Sequence, residues 1–156
     1  MRSTLIAILA ALALSGCGTT PASGPVEARV SASGATEAQA LAVTNANRRA
    51  AGLPAMRVDP ALGRAAQRHA RDMVARVGLS HRGSDGSGVM QRIQAEGYGA
   101  CYAAENIAIG PWNGQEVAEA WLRSAGHRTN AMARLSRDVG IAQLGRAWVM
   151  VFASRC

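Results

Sequence analysis

Ala147-Trp148-Val149-Met150-Val151-Phe152-Ala153 is the stretch whose reading decides the fold. Successive side chains of a strand point to opposite faces, so Trp148, Met150 and Phe152 share one face while Val149, Val151 and Ala153 share the other. Both faces are apolar, and a strand that is apolar on both faces requires cover on both. Gly145 joins this strand, expected over Arg146 to Ser154, to a second one over Asp138 to Leu144, which gives a terminal hairpin. An antiparallel sheet with helices on each side meets the demand for cover. The expectation is an α+β fold, a three-layer α-β-α sandwich around a small antiparallel sheet.

The helices that would supply the outer layers lie upstream. A first helix is expected from Thr36 to Ala51, ending at Gly52-Leu53-Pro54, where glycine takes a left-handed cap and proline forbids continuation. A second is clearer: Asp59 caps, Pro60 suits the first helical position, and Leu62, Ala65, Ala66, His69, Ala70, Met73 and Val77 recur at three-and-four spacing. His69 falls on or beside that buried stripe, the place of a satisfied structural histidine rather than a ligand. After Gly78 comes a turn-rich loop, Leu79 to Gly86, that carries His81, followed by a short helix over Ser87 to Glu96 that stops at Gly97. Cys101 to Ile109 reads as a strand or an extended edge and carries Glu105-Asn106. Asn113 with Glu116 resembles a capping box and opens a helix that runs to about Ser124, with Val117, Ala120 and Trp121 on one face.

The N-terminus reads as an address. Met1-Arg2 is a short basic start, and Thr4 to Leu14 is an apolar run too short for a permanent membrane span. Leu14-Ser15-Gly16-Cys17 resembles a bacterial lipobox, which makes residues 1–16 a lipoprotein signal peptide and Cys17 the lipidation site; an ordinary secretory signal with an incidental cysteine is the alternative. Gly18 rather than Asp after Cys17 suits an outer-membrane destination in a Gram-negative cell, on the periplasmic side of the envelope, with an extracellular location as the other outcome. Residues 17–35 are rich in Gly, Thr, Pro, Ala and Ser and bury too little to offset their ordering entropy, so they are expected as a lipid-anchored flexible linker. Residues 36–156, roughly 120 in all, are a usual size for one domain.

The net charge is +7, and all 17 basic residues are Arg. Positions 57, 64, 68, 71, 76, 82 and 92 recur singly, with no basic block and no interleaved aromatics, so a dispersed Arg-rich face is expected and nucleic acid is not the partner. With Cys17 assigned to lipid, Cys101 and Cys156 remain as an even pair in an oxidising compartment and are expected as a disulfide; two free thiols or a thiolate nucleophile are the weaker alternative, because Cys156 is terminal.

Asn45-Ala46-Asn47-Arg48 with Gly52-Leu53, then Asp59-Pro60-Ala61-Leu62, Ala70-Arg71-Asp72-Met73, Ser80-His81, Gly97-Tyr98, Glu105-Asn106-Ile107-Ala108, Trp121 to Asn130 and Val139-Gly140-Ile141 together resemble the bacterial branch of the CAP superfamily. This is the SCP domain of cysteine-rich secretory proteins, antigen 5 and pathogenesis-related proteins. The resemblance covers about Ala40 to Ala153 and implies the same α-β-α sandwich. It also implies a cavity lined by two histidines and two acidic residues, able to take zinc or another divalent cation. His81, Glu105 and His127 match three of those positions and would be the metal set, with Asn106 and Ser124 beside them in the ligand cavity. The fourth position departs: Ser124 stands where the second acid would be, and Glu119 lies on the wrong side of Trp121. Two imidazoles and one carboxylate still make a three-ligand zinc set with a position open to water.

Each residue also has a bland reading: His81 bonding loop backbone, Glu105 capping or pairing with an arginine, His127 capping the helix that ends near Ser124. Two functions follow. The first is a membrane-anchored, monomeric binding module at the envelope whose cavity takes a lipid, sterol, peptide or cell-wall ligand. The second is a hydrolase, either metal-dependent, with water activated on His81 and His127, or built from the candidates Ser124, His127 and Glu105 as nucleophile, base and carboxylate. Ser124 has no nucleophile-elbow context, so binding ranks above catalysis.

Overall fold

The computed structural model describes the backbone of residues 25–76 and 78–156, and the side chains of residues 34–76 and 78–156. The segment expected as a signal peptide, residues 1–16, and Cys17 lie outside the described residues. In chain order the elements are α1 (Pro25–Ala50), β1 (Arg57–Val58), α2 (Pro60–Arg76), α3 (Val89–Ala95), β2 (Ala100–Ile109), α4 (Gly114–Arg123), α5 (Ala125–Ala131), β3 (Asp138–Leu144) and β4 (Ala147–Arg155). The strands form one sheet in the order β1-β3-β4-β2.

β4 is the centre of the molecule, and its two apolar faces are covered as its alternation requires. Val149, Val151 and Ala153 pack with Leu62, Ala66 and Met73 of α2 and Ile93 of α3. Trp148, Met150 and Phe152 pack with Ala40 of α1, Val117 and Trp121 of α4 and Ala131 of α5. Each large apolar side chain so buried contributes about 1.5–3 kcal/mol. Gly145, at a φ of 57°, makes the hairpin turn from β3 into β4, a left-handed conformation glycine adopts without steric cost.

The sheet is mixed rather than antiparallel. β1 pairs in parallel with β3, Arg57 opposite Asp138 and Val58 opposite Val139, while β3–β4 and β2–β4 are antiparallel. Two exposed residues carry no alternation to read, and the chain between α1 and α2 is simply pinned to the sheet edge there. α1 starts at Pro25, so the segment expected as linker is helical over its later part; proline suits a helix start, and Ala, Glu and Arg propagate it without large apolar residues. The helix ends as expected: Gly52 has a φ of 70°, and the Leu53 amide donates back to the Arg48 carbonyl at 2.9 Å. α4 begins with the expected capping box, the Asn113 side chain accepting from the Glu116 amide at 3.0 Å and the Glu116 carboxylate from the Asn113 amide at 2.8 Å. A disulfide joins Cys101, at the start of β2, to Cys156.

Candidate functional site

β2 is an outer strand of the sheet, and two consecutive residues on it organise the site. Glu105 stands opposite Val151 and Asn106 opposite Met150, and those partners belong to opposite faces of β4. Pleating therefore sends the Glu105 side chain toward the α2–α3 layer and the Asn106 side chain toward the α4–α5 layer.

On the first side, the Glu105 carboxylate is buried and bonded at both oxygens. Oε2 accepts from the Arg92 guanidinium at 2.6 Å, and Oε1 accepts from His81 Nδ1 at 2.8 Å. Both ends of the Arg92–Glu105 pair are 2% exposed, and such a buried pair relies on further hydrogen bonds to offset its desolvation. Arg92, whose buried Nε has no partner among the described residues, donates through its second amino group to the carbonyls of His81, at 3.1 Å, and Ser87, at 2.7 Å. It thereby fastens two points of the loop that carries His81. An ionised carboxylate only accepts, so it fixes the His81 proton on Nδ1 and turns Nε2 away from the pair; the His81 side chain is 60% exposed. His69, fully buried on α2, has its Nε2 2.8 Å from the Ser80 carbonyl and 3.8 Å from Glu105 Oε1. Burial lowers its pKa, against the opposing pull of Glu105. It is the structural histidine its stripe position implied, and it supports the loop from beneath.

On the second side, α5 brings His127 to the edge of β2. Asn106 donates to the His127 carbonyl at 3.0 Å, and Asn130 donates to the Glu105 carbonyl at 3.1 Å and to Asn106 Oδ1 at 3.0 Å. These amides pin α5 to the strand, so His127 lies on a helix of its own rather than past the last one. Its Nδ1 is 2.9 Å from Ser124 Oγ. Burial lowers the His127 pKa, and the nearby charge of His81 lowers it further, so the ring is neutral at neutral pH.

The expected residues thus assemble in two pairs: His81 with Glu105, and Ser124 with His127, with Asn106 holding the backbone of the second. One expectation is corrected. The Glu105 carboxylate orients His81 and not His127, so Ser124, His127 and Glu105 do not form a nucleophile-base-carboxylate relay; the face alternation of β2 separates them. Among the described residues no group of three or more His, Cys, Asp or Glu side chains is arranged to hold a metal ion. The donor chemistry agrees, because the one carboxylate is already bonded to a guanidinium and an imidazole N–H. A pocket of about 220 Å³, open to solvent on one side, lies nearby, with His69, Asp72, Asp85 and Arg92 among its walls, and His81, Glu105 and His127 outside them. The two histidines instead lie beside the outer strand β2, near enough for the charge of His81 to act on His127.

Arg92 is the residue missed in the sequence, where it counted among dispersed surface arginines. Its signal was positional: it stands three residues after Val89, beside Ile93 on the buried face of α3, and a lone carboxylate in an apolar strand requires a cation.

The chain belongs to the cysteine-rich secretory protein family, CAP, whose pattern matches residues 41–145. It is 28% identical over 123 residues to the uncharacterized protein YkwD of Bacillus subtilis, covering 78% of this chain and 48% of that protein, so it spans about half the length of this relative. An extracellular protein of Bacillus anthracis containing an SCP domain superposes with a TM-score of 0.76 at 25% identity, over 79% of this chain and 41% of that one. An outer surface protein of Borrelia burgdorferi shares the fold with a TM-score of 0.69 at 21% identity, over 74% of this chain and 90% of that one.

Proposed function

We propose that this CAP domain is a binding module of the cell envelope, tethered through a lipid on Cys17, and that the rim between His81 and His127 grips a polar group of a peptide or cell-wall fragment. The observation that carries the reading is the pair of imidazoles, one oriented by a buried carboxylate and one held neutral, reaching the same rim from opposite layers. Each offers a hydrogen-bonding nitrogen in a fixed direction, which is what recognition of a polar ligand needs. The extracellular nature of the Bacillus anthracis relative supports the compartment, and the apolar run ending at Cys17 supports the tether.

Calorimetry with muropeptides and short peptides on the full chain tests the cleft. His81→Ala and His127→Ala are each expected to weaken binding about tenfold, roughly 1.4 kcal/mol; a ligand bound equally well by the double variant sinks the reading. Cys17→Ala is expected to move the protein from the membrane to the soluble fraction, and an unchanged partition removes the tether.

A hydrolase is the second reading, and the Ser124 Oγ to His127 Nδ1 distance of 2.9 Å favours it. Here a neutral imidazole would take the serine proton without a supporting carboxylate. Cleavage of an ester or peptide library that Ser124→Ala abolishes would put this reading first.

A further inference from the structure

A carboxylate that serves a divalent cation must be able to turn an oxygen toward it without a competing positive charge alongside. Glu105 meets neither condition. Its Oε2 is 2.6 Å from an Arg92 amino nitrogen, and both side chains are 2% exposed, so a cation at Oε1 would share the carboxylate with a fixed guanidinium across a poorly screened distance. Arg92 has little freedom to withdraw. Its other amino group is bonded to the carbonyls of His81 and Ser87, and releasing it would unfasten the loop that presents His81. The ring so formed, from Arg92 to Glu105 to the His81 imidazole and back through the His81 carbonyl, holds together acid, base and loop with one buried cation.

We infer that Arg92 is the specificity-determining residue of this rim: by holding the Glu105 carboxylate as an acceptor for His81, it selects hydrogen-bonding ligands and turns divalent cations away. Arg92 is a positioning residue, acting on ligands through Glu105 and His81. The inference relies on the binding reading only for the location of the site, since the donor set can be probed with metal alone.

The test is titration of metal-free full chain with Co²⁺, whose visible spectrum reports inner-sphere imidazole and carboxylate ligands, followed by Zn²⁺ competition. Wild type and Glu105→Gln are expected to titrate alike, because Glu105 donates nothing to a cation. Arg92→Gln is expected to take up one equivalent about tenfold or more tightly than wild type, the size of effect that partners surrounding a metal ligand have on affinity. Adding Glu105→Gln to that variant should abolish the gain. One equivalent of cobalt in wild type that Glu105→Gln removes would overturn the inference, and so would a folded Arg92→Gln that gains nothing. Should Arg92→Gln fail to fold, the comparison of wild type with Glu105→Gln decides, together with the ¹⁵N shifts of His81: a proton on Nδ1 is expected, and a proton on Nε2 contradicts the ring. A failed search for a peptide or wall ligand leaves all these readouts intact, whereas a Glu105-dependent cobalt site defeats only the role given to Arg92.

Discussion

His69 and His127 sit on opposite sides of the sheet, and burial lowers the pKa of both. Their folded values lie below the unfolded value of about 6.5, so on acidification the unfolded chain takes up protons first. The stability they allow is fully present above about pH 6.5 and declines as pH falls through the window down to their folded pKa values. Asp72, held low by the Ser84 hydroxyl, and Asp85, held at about 2 by the Ser87 hydroxyl, act in a separate window that opens below about pH 4. The urea midpoint is therefore expected to fall between pH 7 and pH 5, and His127→Asn to remove part of that fall; a flat profile contradicts the assignment. His81, Glu105 and His127 were legible as polar islands between apolar runs, and Ser124 through the family resemblance. Their pairing was not, because it depends on which face of β2 each of Glu105 and Asn106 takes, and that is set by register with β4. The burial of Arg92, and of Arg48, whose guanidinium donates to the carbonyls of Pro54, Ala131, Ala133 and Ser136, was equally hidden, since arginine spacing alone resembles a solvated face.

Between elements, α2 lies close against β3. A Cβ on Gly140 would collide with the Leu62 carbonyl and the Gly63 amide, whereas one on Gly63 would meet nothing within 4 Å. Gly140→Ala is expected to destabilise by about 1–3 kcal/mol, since neither backbone can give way cheaply. Gly63→Ala, inside α2, is expected to stabilise by about 0.5–1 kcal/mol by reducing the freedom of the unfolded chain. Denaturant midpoints that shift alike in the two variants would refute the contrast. The elements most legible in sequence were those whose periodicity and ends agreed: the α2 stripe behind Asp59-Pro60, the Asn113–Glu116 box of α4, and the two-faced β4. α5 went unread because Ala125-Gly126-His127-Arg128-Thr129-Asn130 shows no apolar period; side-chain amides tie it to β2, with Ala131 its one buried residue.

Across the molecule, the disulfide closes a separation of 55 residues, running from the strand that carries Glu105 to the C-terminus. Cys101→Ser with Cys156→Ser is expected to cost roughly 2–4 kcal/mol in the denaturation midpoint, and an unchanged midpoint would show that the bridge constrains little. The parity of the cysteines made this staple readable, whereas the parallel β1–β3 pairing rests on two exposed residues and left no trace. The helical layers on the two sides of the sheet meet chiefly through it, yet His81 and His127, which belong to opposite sides, are both bonded to the outer strand β2. A molecule touching both rings is then a suture across the seam of the sandwich. Occupancy becomes resistance to melting, about 2.7 kcal/mol at a hundredfold excess over the dissociation constant. The proposed binding thus predicts that a component of envelope extracts raises the melting temperature of the wild type and leaves that of the His81→Ala, His127→Ala double variant unchanged; equal shifts would contradict it.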